Sequence, residues 1–145
     1  MMYPPVGFHF KVEFQDLDKE DVDVRFQSVS GLTIDLQTES FKEGGEHRFE
    51  HVLPLRTKYN NIVLKRGLTV NSKLVDWCND AFQTLTIYPK NVLIYLLNEK
   101  HEPLMTWNVN HAWPKKWSIS DFNAEDNSVV IETLELQYQY FTIVT

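Results

Sequence analysis

Residues 7–14 read Gly-Phe-His-Phe-Lys-Val-Glu-Phe, an unbroken alternation of apolar and polar side chains. Successive side chains of a β-strand point to opposite faces, so a period of two predicts a strand with one apolar face. The apolar face carries Phe8, Phe10, Val12 and Phe14, and the polar face carries His9, Lys11 and Glu13. This stretch therefore predicts a half-buried strand and a β fold around it.

The same period continues further along the chain. Residues 22–26 predict a second strand, and residues 32–37 predict a third strand after a turn at residues 28–31. Residues 40–48 are polar, contain Gly44-Gly45 and are longer than a tight hairpin requires, which predicts a protruding loop. The first third of the chain is therefore predicted to be a meander with one long loop.

One segment changes to a helical period. Residues 47–53 are extended until Pro54 interrupts them, and residues 62–64 form a short apolar strand. From about residue 72 to residue 85, apolar side chains recur at spacings of three and four, and Asn71 or Ser72 can cap the helix that this spacing predicts. The apolar positions of this helix are Leu74, Trp77, Cys78, Ala81, Phe82 and Leu85.

The remaining segments again predict strands. Residues 92–97 are apolar on both faces, residues 104–113 alternate until Pro114, and residues 129–143 form a last long strand region. In that last region the predicted apolar face carries Leu134, Leu136, Tyr138 and Tyr140. The fold class is therefore mainly β with one helix. No repeat or linker divides the chain, so residues 1–145 are expected to form one domain.

Charge and composition exclude several classes of partner. The chain has 145 residues and a formal net charge of −6, and residues 1–50 account for all of it, with 5 basic and 11 acidic side chains. An acidic surface disfavours a nucleic-acid backbone, and no apolar run approaches the ~20 residues of a membrane helix. The absence of a signal-peptide pattern and the single cysteine predict synthesis in a reducing cytoplasm.

Catalytic and metal-binding constellations are weak in this sequence. His47 and His51 have the spacing of zinc ligands on a helix, but the flanking pattern is extended, and a strand would hold residues four apart roughly 13 Å from each other. Cys78 lies on the apolar side of the predicted helix, where a thiol packs rather than reacts. The acidic residues between positions 16 and 23 lack the glycine and terminal glutamate of a calcium loop. No catalytic, cofactor-binding or metal-binding residue is predicted.

The tryptophans allow two interpretations. Trp107, Trp113 and Trp117 lie within eleven residues, and an exposed group of this kind would be a platform for carbohydrate or peptide. The alternative is that Trp107 and Trp113 share a strand face with Val109 and pack inward or against another subunit. Inward packing is the favoured interpretation.

Seven pieces of the sequence, in order along nearly the whole chain, resemble the tail tube protein family of contractile phages and of phage-tail-like extracellular contractile injection systems. The secreted tube protein of type VI systems is a more remote likeness. Each piece is common alone, and the order and spacing make the resemblance specific. The pieces are Tyr3-Pro4-Pro5-Val6-Gly7-Phe8-His9-Phe10, Ser28-Val29-Ser30-Gly31-Leu32, Glu43-Gly44-Gly45-Glu46, Val63-Leu64-Lys65-Arg66-Gly67, Trp77, Ala112-Trp113-Pro114-Lys115-Lys116-Trp117 and Ile131-Glu132-Thr133-Leu134-Glu135-Leu136.

The resemblance implies an antiparallel β-barrel or sandwich with one flanking helix, assembled as hexameric rings that stack into a hollow tube. It also implies a contractile sheath outside, baseplate and spike proteins at one end and a possible protein payload inside. The candidate interface residues are Tyr3, Pro4, Pro5, Phe41, Lys42, Glu43, Gly44, Gly45, Glu46, His47, Arg48 and Phe141. The candidate lumen-facing residues are His9, Lys11, Glu13, Asp35, Gln37 and Glu39.

Three hypotheses about function follow. The leading one is an inner tube subunit with a mechanical role, and a close variant is a tube initiator that joins the tube to the baseplate. The second is a free-standing β-sandwich module that binds carbohydrate or peptide through the tryptophans. The third, a small hydrolase, is the least favoured because the sequence offers no pair of nucleophile and base.

Overall fold

The alternating segments of the sequence fold as antiparallel β structure around one helix. The computed structural model describes residues 9–17, 25–41, 51–69, 72–121, 125 and 129–144. Its strands are β1 (His9–Phe14), β2 (Arg25–Phe26), β3 (Ser28–Ser30), β4 (Ile34–Phe41), β5 (His51–Tyr59), β6 (Ile62–Gly67), β7 (Lys90–Leu97), β8 (Pro103–Ile119), β9 (Ile131–Gln137) and β10 (Tyr140–Val144), and its helix is α1 (Lys73–Thr84). The mainly β fold class is confirmed. No helix within these ranges has the length and apolar character that crossing a membrane requires.

Eight strands form one curved sheet in the order β2-β1-β7-β8-β9-β6-β3, with β10 also paired to β8. The two strands at the ends of this order are neighbours in the chain, because Gln27 alone separates β2 from β3. The backbone N–H of Gln27 donates to the carbonyl of Lys65 on β6 at 2.8 Å. The sheet therefore curls until its two ends meet, as in a barrel.

The barrel has two layers, one formed by β2, β1, β7 and β10 and the other by β9, β6 and β3, and strand β8 takes part in both. Its first part pairs with β7 and β10, and its second part, from Trp113, pairs with β9. At the change of partner His111 has a φ of 53° and its N–H donates to the side-chain oxygen of Asn91. The ladder with β7 also shifts register between Lys90 and Val92. This irregularity bends the strand from one layer into the other.

The helix forms where the period predicted it. The Ser72 side chain caps its start by accepting from the N–H of Val75, and Leu85 ends it in the left-handed region with a φ of 55°. Leu74, Trp77, Cys78 and Ala81 are buried against the sheet. Phe82 and Leu85, which the sequence assigned to the same apolar face, are exposed.

Several predicted boundaries are wrong. Residues 28–30, predicted as a turn, are strand β3, and only Gly31 turns, with a φ of 89°. A Cβ on Gly31 would lie 1.9 Å from the carbonyl oxygen of Asn61, so a side chain does not fit there. Ser40 and Phe41, predicted as the start of the loop, belong to β4, and residues 42–48 lie outside the described ranges.

Two prolines do not end strands as predicted. Pro54 lies inside β5 and Pro114 lies inside β8, each beside an irregularity in its ladder. A proline removes one N–H donor, and a strand tolerates that loss at a bulge or an edge. The predicted long strand over residues 129–143 is two strands, β9 and β10, and Tyr140 is exposed because the chain changes partner after Tyr138.

A buried ion pair lies where four strands and the start of the helix meet. The Nε of Arg66 donates to Glu132 at 2.9 Å, and both side chains are 3% exposed. Arg66 also donates to the hydroxyl of Ser72 at 3.0 Å, and the indole N–H of Trp117 donates to Glu132 at 2.9 Å. The guanidinium carbon lies 5.1 Å from the ring centroid of Phe26. These contacts join β6, β9, β8, β2 and the start of α1.

We expect Glu132→Leu to destabilise the folded chain by about 3–5 kcal/mol, because it leaves the Arg66 charge buried without its carboxylate. The double variant Arg66→Met/Glu132→Leu is expected to recover most of that loss, since it removes both charges together. Urea unfolding followed by tryptophan fluorescence measures both changes. Equal losses in the single and double variants would contradict this account.

Candidate assembly interface

Strands β4 and β5 form a two-stranded sheet of their own, the hairpin. Ile34 pairs with Tyr59, Leu36 with Thr57, and Ser40 with Val52. Residues directly opposite in an antiparallel pair point to the same face, so Ile34, Leu36 and Val52 share one face with Tyr59. Their exposed fractions are 47%, 59% and 60%. This apolar face of the hairpin is therefore open to solvent in the single subunit.

The base of the hairpin rests on the core. The ring of Tyr59 lies 5.1 Å from that of Phe141 and 5.8 Å from that of Tyr138, centroid to centroid. The Tyr138 hydroxyl donates to the carbonyl of Asn60 at 2.7 Å, and burial, followed by the neighbouring Tyr59, raises the pKa of Tyr138 to about 12. The apolar face thus begins at the core and continues beyond it. A two-stranded sheet alone is marginally stable, so an uncovered apolar face of this kind points to a partner.

The opposite face of the hairpin is more polar. Asp35 pairs with Lys58 and Glu39 pairs with Leu53, and both acidic side chains are exposed. Gln37 is exposed at the position where the ladder shifts register. These three residues, which the sequence predicted to face the lumen, therefore lie on the hairpin. Along β4 they alternate with the side chains of the apolar face. Their orientation in an assembly stays a prediction.

The other predicted lumen residues lie on β1, in the eight-stranded sheet. Lys11 and Glu13 form an ion pair at 3.3 Å, and the hydroxyl of Tyr95 donates to Glu13 at 3.3 Å. Burial raises the pKa of Tyr95, and the Glu13 carboxylate raises it further. His9 contacts His101 in the turn after β7. The structure thus places the two predicted lumen sets in different sheets.

Two of the predicted interface residues, Phe41 and Phe141, lie in the part of the chain that the structure describes. Phe41 is the last residue of β4, and Phe141 is 5% exposed in the core, where Tyr59 and Tyr138 surround it. The single subunit therefore needs Phe141 for its own packing. The others lie outside the described residues: Tyr3, Pro4, Pro5, Lys42, Glu43, Gly44, Gly45, Glu46, His47 and Arg48.

Strand β10 offers a second open surface. Within the described ranges it pairs with β8 alone, so the backbone groups of its other edge face no strand. Tyr140, Ile143 and Val144 on this strand are large, apolar and about half exposed. An open edge with apolar side chains is a site where another chain can add.

The tryptophans do not form an open platform. Trp107 and Trp117 pack against the core, and the indole N–H of Trp77 donates to the carbonyl of Tyr88 at 3.0 Å. The predicted shared face of Trp107 and Trp113 is wrong, because the bend at His111 intervenes and Trp113 pairs with exposed Gln137. Inward packing is confirmed for Trp107.

Cys78 and His51, weighed above as catalytic or metal-binding residues, lie on different elements of the part of the chain that the structure describes. That part contains no group of three or more His, Cys, Asp or Glu side chains arranged to hold a metal. Cys78 is 2% exposed, and burial, followed by the Glu132 charge, raises its pKa to about 12. The thiol is therefore protonated and packed, as predicted. His51 lies on strand β5 rather than a helix, and His47 lies outside the described residues.

The solved structures similar to this chain include components of contractile injection particles. A chain of the anti-feeding prophage baseplate, a 6-fold symmetrised cryo-EM structure, is 32% identical, has a TM-score of 0.84, and aligns over 99% of this chain and 97% of its own length. A second similar chain comes from the PVC sheath–tube complex in the extended state, which is part of an extracellular contractile injection system. It is 28% identical with a TM-score of 0.80, and the alignment covers 98% of this chain and 92% of its own length. Hcp1 from Flavobacterium johnsoniae shares the fold, with a TM-score of 0.60. It is 15% identical, and the alignment covers 93% of this chain and 94% of Hcp1.

These similarities define the class of protein: a structural component of contractile injection particles, not an enzyme. The family described as T4-like virus tail tube protein gp19 matches residues 6–142, and the chain belongs to this family. The resemblance drawn from the seven sequence pieces is confirmed. No curated protein matches the chain.

At pH 8 we expect iodoacetamide to leave Cys78 in the folded subunit essentially unmodified and to alkylate it rapidly in urea. A pKa of about 12 lowers the thiolate fraction about a thousandfold below that of an ordinary cysteine, and burial also blocks access. The unfolded thiol ionises first as pH rises, so stability is expected to fall above about pH 9. Mass spectrometry after timed quenching measures the modification. Rapid alkylation without urea would contradict the buried position.

Proposed function

We propose that this chain is the inner tube subunit of a contractile injection particle. Six copies form a ring, rings stack into a hollow tube, and the contracting sheath drives that tube through the target envelope. The observation that carries this proposal is the uncovered apolar face of the hairpin, with Ile34, Leu36 and Val52 open to solvent beside the core. A subunit that polymerises needs such a face, and a monomer does not.

A ring closes when one surface of a subunit meets a different surface of the next, and stacking requires a further contact. The apolar face of the hairpin supplies one surface. Completing the burial of its three half-exposed side chains contributes roughly 3 kcal/mol per copy, and six copies in a ring add their contributions. The open edge of β10 supplies another, through backbone hydrogen bonds and the apolar side chains of Ile143 and Val144.

The tube encloses a polar lumen in this proposal. The exposed Asp35, Gln37 and Glu39 alternate along β4 with the side chains of the apolar face. When the hairpin packs its apolar face on a neighbouring copy, these polar groups therefore point away from that neighbour. Carboxylates keep such a wall hydrated and repel nucleic acid, while a protein payload can pass. The subunit is made in the bacterial cytoplasm as a single domain over residues 1–145 and acts in the assembled particle.

A tube initiator is the second candidate. Its support is the 32% identity to a baseplate chain, slightly above the 28% identity to a chain of the sheath–tube complex. The initiator forms one ring on the baseplate and spike, whereas the main subunit polymerises by itself. Negative-stain microscopy of the purified chain distinguishes them: long tubes favour the main subunit, and single rings seen only with baseplate proteins favour the initiator. A chain that stays monomeric under both conditions would refute both candidates.

We expect the double variant Leu36→Ser/Val52→Ser to abolish rings and tubes and to leave the subunit folded. Both side chains are about 60% exposed, so their loss costs the single subunit little but removes the apolar contact with a neighbour. Sedimentation velocity and microscopy measure assembly, and circular dichroism confirms the fold. Asp35→Ser/Lys58→Ser, which changes a facing pair on the opposite face, is the matched control and should still assemble. Normal tubes from the apolar-face variant would refute its role as an interface.

Deletion of residues 42–46 is expected to leave a folded monomer without rings or tubes. The deletion shortens the connection between β4 and β5, while the core residues of the barrel lie elsewhere. Thermal unfolding and microscopy of the purified variant provide the two measurements. Tubes of normal appearance would show that this loop is not an interface.

A further inference from the structure

Two histidines from distant parts of the chain meet at the surface. His9 begins β1, and His101 lies in the turn between β7 and β8, ninety-two residues later. The Nδ1 of His101 lies 2.8 Å from the Nε2 of His9, and the rings approach edge to face with centroids 4.7 Å apart. The pair belongs neither to the buried core nor to the hairpin.

The turn that carries His101 is held by its own hydrogen bonds. The side-chain oxygen of Asn98 accepts from the backbone N–H of Lys100 at 2.8 Å and from that of Glu102 at 2.9 Å. The N–H of His101 donates to the carbonyl of Asn98 at 2.9 Å, and His101 has a φ of 63°. His9 is fixed from the other side, because it pairs with Leu97 at the end of β7. The fold itself therefore brings the two rings together.

The separation of the two nitrogens matches one coordination geometry. Two metal–imidazole bonds of about 2.0–2.1 Å at a right angle place their nitrogens about 2.9 Å apart, whereas a tetrahedral angle places them about 3.3–3.4 Å apart. The 2.8 Å between the histidine nitrogens, which is the length of the hydrogen bond that joins them, is close to the right-angle value. We propose that His9 and His101 form a two-imidazole site for a divalent transition metal ion of tetragonal preference, Cu²⁺ or Ni²⁺.

In the described part of the chain, the contact between the two rings is exposed, so solvent can supply further ligands. The charged neighbours on β1 are Lys11 and Glu13, which are paired with each other, and those in the turn are Glu99, Lys100 and Glu102, all exposed. Because no third protein ligand is in place in the described part of the chain, water completes the coordination. In the hydrogen-bonded pair one facing nitrogen carries a proton, and this proton moves to the outer nitrogen of the same ring when both facing nitrogens bind the metal.

Isothermal titration of the whole chain with NiCl₂ at pH 7.5 tests this site. We expect one ion per subunit, and His101→Asn should weaken binding at least tenfold. Asparagine tolerates a positive φ, so the turn is kept. His111→Asn is the matched control, because His111 is also an exposed histidine with a positive φ, 53°, and it should bind as the unaltered chain does. Absence of saturable binding, or equal weakening in both variants, would overturn the proposal.

Electron paramagnetic resonance with one equivalent of Cu²⁺ gives a second, independent readout. The unaltered chain should show coupling to two imidazole nitrogens, and His9→Gln should show coupling to one. Circular dichroism of each variant confirms that it is folded before the comparison. A spectrum unchanged by His9→Gln would place the ion elsewhere and overturn the proposal. Neither measurement depends on assembly, so failure here leaves the proposed function untouched.

Discussion

The ion pair between Arg66 and Glu132 constrains how the helix and the surrounding strands pack together. Two charges that are 3% exposed cannot be left without each other, because burial of a lone charge costs several kcal/mol. Their partners come from elements far apart in sequence: Ser72 at the start of the helix and Trp117 on β8. An arrangement that displaced the helix or either strand would expose or separate these charges. The pair therefore selects one packing of helix and sheet where apolar contacts alone would tolerate several.

That closed core contrasts with the hairpin beside it. Within the barrel, polar groups are buried with partners and the apolar side chains fill the interior. On the hairpin, apolar side chains face solvent although Tyr59 on the same face is packed. The chain is thus complete at its centre and incomplete at its edge, which is what the proposed assembly requires of surfaces that become interior only in a polymer.

Much of the fold could be predicted from the sequence. Apolar residues that recur every second position indicate the buried face of a strand, and those that recur every 3.6 positions indicate the buried face of a helix. Strand β1 and the helix followed their patterns closely. Pro54 and Pro114 misled the prediction, since a local rule about proline cannot see a bulge that depends on the partner strand. The alternation of Ile34 and Leu36 correctly indicated an apolar face. The same alternation occurs in a strand that packs on its own core and in one that packs on another chain, so the sequence cannot distinguish the two. The meeting of His9 with His101 depends on topology, which no local pattern contains.

Strand β8 has a mechanical meaning beyond its place in the topology. Its seventeen residues run from one layer of the barrel into the other without a loop between them. Two layers held only by side-chain packing can slide past each other under load, because dispersion contacts re-form at each new position. Here any sliding must bend or stretch one continuous backbone. A thrust applied to one layer therefore reaches the other through covalent bonds, which gives the folded chain a resistance to shear that packing alone does not supply.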